Sequence, residues 1–327
     1  MGKIEMTYAN AIKEAISEEM RKDDRVYMMG EDIGVYRGAF GVSGGMIEEF
    51  GPERIIDTPI SETGFVGCAI GSAVSGLRPI VEIMFSDFMG VCWDMIINQA
   101  PKMRYMFGGK VSVPMVLRTA SGGGTGAAAQ HSQSLEAMLC HVPGLKVVIP
   151  STPYDAKGLL KSAIKDNNPV MFLEQKLLYR TKGMVPEEEY YIPLGKADIK
   201  KEGTDCTVVT YGRMVQMCLT AAEALEKENI HIEVIDLRTL LPMDKTAIIE
   251  SVKKTKHLVI VHEAVKTGGI GGEIAATVTE SDAFHYLDAP IKRLASEDVP
   301  VPFCPVLEKG ILPDENKIVQ AVRDILA

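Results

Sequence analysis

Asp57-Thr58-Pro59-Ile60-Ser61-Glu62-Thr63-Gly64 is the stretch from which the fold can be read. Ile55 and Ile56 close a short apolar run ahead of it, Pro59 forbids helix before it, and Ser61 is a residue type that caps helices. Glu62 then falls in the first helical turn. The segment that follows, Gly64-Phe65-Val66-Gly67-Cys68-Ala69-Ile70-Gly71, is apolar on every side, which predicts a buried helix. Each glycine inside it costs about 1 kcal/mol relative to alanine, so close approach by another backbone is expected to offset Gly64, Gly67 and Gly71. An acidic residue in a first turn favours the helix dipole whatever else it does.

Outward from that junction, short apolar runs alternate with helix-length segments. Strands are predicted at Val26–Met29, Arg54–Asp57, Pro79–Met84, Pro114–Arg118, Lys146–Ile149 and Val170–Leu173, with helices over Ser86–Tyr105 and Pro153–Lys165. Such alternation marks an α/β fold, a mostly parallel sheet with helices on both faces. The stretch from Tyr179 to Gly203 is rich in charge, glycine and proline, and reads as an interdomain connection. A second alternation follows. It predicts strands at Thr207–Tyr211, Ile230–Asp236, Leu258–His262 and Ile291–Leu294, and helices up to Lys227, over Asp244–Lys253, near Gly272–Glu280 and over Asp314–Leu326. The expected organisation is a first domain at 1–185, a linker at 186–204 and a smaller α/β domain at 205–327.

The chain has 327 residues, 46% hydrophobic and 24% charged, with a formal charge of -9. That is ordinary globular composition, and the acidic balance without any Lys/Arg run argues against a nucleic-acid surface. Neither an apolar leader nor a stretch approaching about 20 apolar residues occurs, so no membrane association and a cytoplasmic setting are expected. The six cysteines show no C-x-x-C spacing, and most are expected to be buried and reduced.

Ser121-Gly122-Gly123-Gly124-Thr125-Gly126-Ala127 satisfies G-x-G-x-x-A in form. The acidic residue a dinucleotide site needs about 20 positions later is missing, since none lies between Glu136 and Asp155. A glycine loop that carries the next segment into a site is the better reading. That next segment holds His131, in Gln130-His131-Ser132-Gln133-Ser134, flanked by hydrogen-bonding residues after a strand end. His262-Glu263 reads as a strand-end loop pair, and Asp166-Asn167-Asn168-Pro169 as a helix-terminating turn.

DTPISETGFVG, AAAQHSQS at 127–134 and PGLKVVIPSTPYDAKGLLKSAIKDNNPV at 143–170 together resemble the beta subunits of thiamine-diphosphate-dependent 2-oxoacid and acetoin dehydrogenases. The resemblance covers essentially the whole chain. IMFSDFMGVCWDMIINQAPKMRYMFGGK at 83–110 and GKADIKKEG at 195–203 look most like acetoin dehydrogenase, and pyruvate and branched-chain relatives share much of the plan. It implies a thiamine-diphosphate-binding fold of the pyrimidine type, followed by a transketolase C-terminal-like domain. By the same resemblance Glu62 is the acid that meets the cofactor pyrimidine. Ile60, Met84 and Phe88, with Phe85, are its apolar contacts, and His131 faces the reacting carbons and the incoming lipoyl arm. An apolar ring beside Glu62 would raise its pKa, while a cap and the helix dipole would lower it. Ala163, Asp166 and Asn168, with carbonyls around Met115 and Leu117, match positions that ring a potassium ion.

In this cofactor class the magnesium that holds the diphosphate sits on Gly-Asp-Gly followed by an asparagine, and that pattern is absent. The resemblance therefore implies an alpha subunit that supplies most of the magnesium site, a heterotetramer of two alpha and two beta subunits, and a lipoyl-bearing acyltransferase as acceptor. The glycine-faced helix after Glu62 is a place for close packing between chains. The rivals are a transketolase or deoxyxylulose synthase, whose chains carry both cofactor halves, a branched-chain 2-oxoacid dehydrogenase beta subunit, and a noncatalytic α/β interaction subunit.

Overall fold

The computed structural model describes residues 2–327. Two compact units are present. The first takes the chain up to Ser121 together with Met138–Leu194, and the second takes Gly122–Ala137 together with Gly195–Ala327.

The elements of the first unit are β1 (Lys3–Thr7), α1 (Tyr8–Lys22), β2 (Val26–Gly30), α2 (Met46–Phe50), β3 (Ile55–Asp57), α3 (Glu62–Val74), β4 (Arg78–Phe85), α4 (Met103–Met106), β5 (Val116–Ser121), α5 (Glu136–Cys140, at the return of the chain), β6 (Lys146–Val148), α6 (Pro153–Lys165), β7 (Val170–Gln175) and β8 (Lys182–Pro186). Within this unit the strands run in the order β6-β7-β5-β4-β2-β3, every pair parallel. β5 and β7 are buried along their whole length, as parallel strands covered on both faces should be. The core joins Ile12, Ile16 and Met20 of α1 to Leu159, Leu160 and Ile164 of α6 and to the sheet through Met28, Ile80 and Phe172. α6 starts on Thr152, whose Oγ1 accepts from the Asp155 N–H at 3.1 Å, with Pro153 in the first turn where its missing N–H costs nothing. Lys157 and Lys161 lie buried between the two helices. Lys157 Nζ reaches Glu14 Oε2 at 2.9 Å and Glu18 Oε1 at 2.7 Å, and Lys161 pairs with Glu18, so neither ammonium is left bare.

The second unit is built from β9 (Asp198–Lys201), β10 (Cys206–Thr210), α7 (Met214–Glu226), β11 (Ile232–Asp236), β12 (Thr239–Leu241), α8 (Lys245–Thr255), β13 (Leu258–Val265), α9 (Gly271–Thr279), β14 (Lys292–Ser296), α10 (Pro305–Ile311) and α11 (Glu315–Leu326). Its sheet runs β14-β13-β10-β11-β9 and is parallel except at the β9 edge. α7 and α11 bury Cys218, Ala222, Leu225, Ile318 and Val322 against Val208, Val234 and Val259.

Several sequence expectations differ from this structure. Ser86–Tyr105 is not one helix: it breaks into a 3-10 segment at Ser86–Cys92, a π turn at Met95–Gln99 closed by the Ala100 N–H on the Met95 carbonyl (3.0 Å), and α4. Gly90 lies within the 3-10 segment and Pro101 just after the π turn, and both residue types disfavour a regular α-helix. The polar stretch expected to connect the domains contains β8, which pairs with β1, and β9, which completes the second sheet. β13 runs three residues past His262, so His262-Glu263 lies inside a strand rather than in a loop. Of the cysteines, Cys92, Cys206 and Cys218 are buried, while Cys68 and Cys304 are exposed. Among the described residues no helix is long and apolar enough to cross a membrane.

Candidate active site

β2 is the branch point of the first sheet: β3 lies on one side, and β4, β5, β7 and β6 on the other. Open parallel sheets bind ligands outside the carboxyl ends of strands at such a point. The residues at or just beyond those ends are Glu31 after β2, Asp57 at the end of β3 with Thr58–Ser61 after it, and Ser86–Phe88 after β4. The turn after β2 is fixed from both directions. A side chain on Gly30 would meet the Glu82 carbonyl at 2.7 Å, and the Gly34 N–H donates to Asp57 Oδ1 at 2.6 Å. The Thr58 N–H donates to the Gly30 carbonyl at 2.9 Å, which ties the two turns together.

Glu62 opens α3 and is buried, 7% exposed. Ser61 starts the helix through its carbonyl, which accepts from the Phe65 N–H at 3.0 Å, but its hydroxyl caps nothing, and its ψ of 68° lies outside the extended geometry an N-cap uses. The cap expected from the sequence is thus absent. Thr63 Oγ1 donates to the Val91 carbonyl at 2.7 Å and moors the first turn to the segment after β4. That segment begins at a bulge in β4 between Ile83 and Phe85, where Met84 sits, and strand bulges re-aim side chains beside sites. Phe85 and Phe88 pack edge to face at 5.5 Å, with Phe40 on the other side of Phe85 at 5.7 Å. Ile60 is 84% exposed, while Met84 and Phe88 are half-buried.

Sequence reasoning missed Glu31. Its carboxylate is buried, its Oε1 has no hydrogen-bond partner, and its pKa is pushed up by burial first and then by the negative charge of Glu62. Two acids within electrostatic reach of each other, one with an oxygen free, can hold and pass a proton to a weakly basic nitrogen. Cys92, pushed up to about 12 by burial and then by Glu62, is a neutral thiol in the same wall. The signal was present as Gly30-Glu31-Asp32, an acid directly at a strand end.

α3 is not buried all round. Phe65, Val66, Ala69 and Ile70 face the core, whereas Gly64, Cys68 and Gly71 are exposed, and a side chain on Gly71 would meet nothing within 4 Å. Among the described residues, a side chain on Gly67 would meet only Met95 Sδ, at 3.4 Å, and one on Gly64 only the Ser61 side chain.

His131 lies in the second unit, on a loop closed at its base by the Gly122 N–H donating to the Gln133 carbonyl at 3.2 Å. Gly122, Gly124 and Gly126 have φ of 84°, 91° and 68°, values open to glycine at little cost, and Ala128 follows at 61°. The amides that such a loop would turn toward a phosphate are occupied. Gly123 N–H donates to Glu263 Oε1 at 2.6 Å, and Gly124 and Gly126 N–H donate to Glu308 Oε1 and Oε2 at 2.7 and 2.9 Å. Ser132–Leu135 then wall a cavity of about 500 Å³ whose other side is Glu263–Val265 and Ser296–Val301. His262 is fully buried, its Nδ1 on the Ala264 carbonyl at 3.1 Å, and burial pushes it down to about 4, so it is neutral and structural.

At the end of this loop Glu136 is buried and accepts from the Tyr211 hydroxyl at 2.8 Å, and burial raises its pKa to about 7. The folded protein keeps that proton up to about pH 7, whereas an unfolded chain loses it near 4.5. Between those values the native state binds more protons, so this group's contribution to stability falls as pH rises. Glu136→Gln, neutral at every pH and still an acceptor for Tyr211, should leave stability at pH 4.5 nearly unchanged and raise it at pH 8 by up to about 3 kcal/mol, at 1.36 kcal/mol per pKa unit. Denaturant unfolding at both pH values measures this. An equal gain at each would assign the effect to packing instead.

Ala163, Asp166 and Asn168 do come together, at the end of α6. The Asp166 N–H donates to the Ala163 carbonyl at 3.2 Å, Asp166 Oδ1 accepts from the Asn168 N–H and Nδ2, both at 2.9 Å, and Lys146 pairs with Oδ2. The Met115 carbonyl accepts from Val170. Among the described residues no group of three or more His, Cys, Asp and Glu is arranged to hold a metal ion.

Comparison with known proteins agrees with this geometry. Residues 4–182 match the pyrimidine-binding domain of transketolase, and residues 195–318 match its C-terminal domain. The chain is 49% identical to the beta subunit of acetoin:2,6-dichlorophenolindophenol oxidoreductase of Bacillus subtilis (strain 168), with 98% of this chain and 97% of that protein covered. It is 48% identical to the 2-oxoisovalerate dehydrogenase subunit beta of the same organism, with 98% of each covered. The chain belongs to this family of dehydrogenase beta subunits. A third member, the pyruvate dehydrogenase E1 component subunit beta of Rickettsia felis, is also 48% identical, over 98% of each chain. These near-equal values place the chain in the family without separating its branches. A split-gene transketolase, solved as an inactive beta4 tetramer, superposes with a TM-score of 0.81 over 98% of each chain at 23% identity, which establishes a shared fold. The family expected from DTPISETGFVG and the two-domain transketolase-like fold are thereby both established.

Proposed function

We propose that this chain is the beta subunit of a thiamine-diphosphate-dependent dehydrogenase component that cleaves acetoin or decarboxylates a 2-oxoacid and hands the acyl unit to lipoamide. The observation that carries the reading is Glu62: a buried carboxylate in the first turn of a helix, at the branch point of a parallel sheet, beside a second acid with an unpartnered oxygen. These residues fit the pyrimidine half of the cofactor. When bound, thiamine diphosphate supplies an electron sink for breaking a bond beside a carbonyl carbon.

The chain's own residues would then divide the work. Glu62 shares a proton with the pyrimidine ring nitrogen, and Glu31, whose pKa is pushed up by burial and then by the Glu62 charge, stands beside it as a second acid for that exchange. Met84, Phe88 and Ile60 supply apolar surface that excludes water from that exchange. His131, on its loop in the second unit, donates or orients a proton during transfer to the lipoyl arm.

The names of the relatives, each a beta subunit, support an alpha partner, here proposed as two copies of each chain with a lipoyl-bearing acyltransferase as acceptor. The open glycine face of α3 supports close packing against that partner. Magnesium is assigned mainly to the alpha subunit. Potassium at Ala163, Asp166 and Asn168 would rest on main-chain oxygens, because Lys146 already neutralises Asp166. A cytoplasmic setting is proposed with it, supported by the acidic balance and by the lack, among the described residues, of a helix long and apolar enough to cross a membrane.

The test is reconstitution. Alone, the chain should bind thiamine diphosphate and magnesium weakly by titration calorimetry. Co-expressed with its alpha subunit, it should reduce 2,6-dichlorophenolindophenol in a thiamine-dependent way with acetoin, pyruvate or 2-oxoisovalerate, and the preferred substrate names the branch. No dye reduction with any of the three would favour a noncatalytic interaction subunit.

A further inference from the structure

The glycine loop carries an anion site that the chain fills with its own side chain. Positive φ at Gly122, Gly124 and Gly126, alternating with ordinary φ at the residues between, turns successive N–H groups toward one side. Concavities of this kind hold anions. Here the anion is the Glu308 carboxylate of α10, which is 3% exposed and takes one N–H on each oxygen, while Glu263 of β13, 4% exposed, takes the N–H of Gly123 on one oxygen. A side chain on Gly123 would come within 3.4 Å of Glu308 Oε1 and 3.8 Å of Glu263 Oε1, so the loop is seated directly on both acids. Hydrogen bonds to a carboxylate are roughly twice as strong as neutral ones.

We propose that Glu308 and Glu263 are positioning residues for His131: they clamp the Gly122–Gln133 loop in the one conformation that presents the imidazole for acyl transfer. This rests on the role given to His131 above. It explains why a loop with so much conformational freedom carries a residue that needs a fixed direction. The Gly122–Gln133 bond closes its base, and the two carboxylates, 140 to 184 residues away in sequence, fix its crest.

The two acids should differ in how they tolerate glutamine. Glu308 uses both oxygens, so Glu308→Gln must turn an NH₂ toward an N–H and lose one bond. Glu263 accepts a loop N–H on one oxygen only, and Glu263→Gln still offers that oxygen. A role confined to negative charge or to general packing would not rank them this way.

The measurement uses the chain co-expressed with its alpha subunit. Hydrogen exchange of the peptide spanning 122–133 is followed by mass spectrometry, beside kcat and KM for dye reduction and for acylation of lipoamide, with acetoin or pyruvate as substrate. Glu308→Gln is expected to speed exchange in that peptide by about 10-fold and no other peptide of the second unit, to lower kcat for acylation by about 10²-fold with KM held, and to spare most dye reduction. Glu263→Gln should do much less. His131→Ala should lower the same kcat, and adding Glu308→Gln to it should cost little more, because both act on one step. Full additivity in that double variant, or exchange raised throughout the second unit, overturns the positioning role. Unchanged loop exchange in both Glu308→Gln and Glu308→Ala, beside an impaired His131→Ala, overturns the clamp alone. Freed loop amides beside a fully active His131→Ala would instead bring down the role of His131, and the positioning of it with that.

Discussion

Glu62→Gln should lower thiamine-dependent turnover by about 10²- to 10⁴-fold, the range typical of losing a positioned general acid or base. Glutamine keeps the length and one acceptor oxygen but has no titratable acid proton to share. The side chain is buried at a helix start moored independently by Thr63 on the Val91 carbonyl, so the fold and the assembly with an alpha subunit should survive. Deuterium exchange at the thiazolium carbon of the reconstituted enzyme reads the proposed step directly and should slow in parallel with turnover. Wild-type exchange in this variant would remove Glu62 from the mechanism. Glu31→Gln gives a graded comparison, because the acid it replaces is already biased toward its neutral form by burial and by Glu62.

Replacing Arg118 by leucine should cost about 3–5 kcal/mol of stability, the range for removing one partner of a buried ion pair. Arg118 is fully buried on β5, and its Nη1 donates to Glu82 Oε2 on β4 at 2.7 Å. Its Nε and Nη2 donate to the two oxygens of Glu174 on β7 at 2.7 and 2.8 Å, and the Tyr179 hydroxyl adds a further bond to Glu174 at 2.8 Å. Burial alone would lower the arginine pKa, but Glu174 and then Glu82 outweigh it, while burial pushes Glu174 up even beside the guanidinium. Without the arginine, the buried Glu174 carboxyl would lose the charge that offsets its burial. A carboxyl whose folded pKa is raised loses stability as pH rises, so the deficit should be larger at pH 8 than at pH 5. Denaturant unfolding at the two values measures it. A deficit below about 1 kcal/mol at pH 8 would mean that water or a rearranged side chain already solvates these acids.

The sequence disclosed what local chemistry dictates. Pro153–Lys165 is a helix in both accounts because Thr152, Pro153 and the Asp166-Asn167-Asn168-Pro169 turn mark its ends without help from elsewhere. Glu62 was placed in a first turn for the same kind of reason. What escaped depends on partners far away in the chain. Lys182–Pro186 looks like polar linker and becomes a strand only by pairing with Lys3–Thr7. Gly30 looks like a turn residue, yet the Glu82 carbonyl sets its need for no side chain, and that close approach is what aims Glu31. The glycines of α3 pointed to close approach by a backbone, yet among the described residues a side chain on Gly71 would meet nothing within 4 Å, while those of the 122–126 loop, formally like a dinucleotide motif, have partners at Glu263 and Glu308 that no spacing rule encodes. Ser61 shows the opposite failure, since a favourable residue type at the right place makes no cap.

The passage of the chain into the second unit at Gly122 and back at Met138 also bears on modularity. Two sequence domains meet near Leu194, but the compact unit built around β10 and β13 includes sixteen residues, Gly122–Ala137, donated from within the first. A fragment beginning at Gly195 would lack the three loop N–H groups that Glu263 and Glu308 accept from, so two acids that are 4% and 3% exposed in the whole chain would lose those charge-assisted bonds. The heritable block is therefore not the C-terminal half. In recombination between relatives of this family, whether by gene shuffling or by a designed chimera, residues 122–137 have to travel with the parent that supplies β13 and α10, which carry positions 263 and 308, even when the sequence on either side of 122–137 comes from the other.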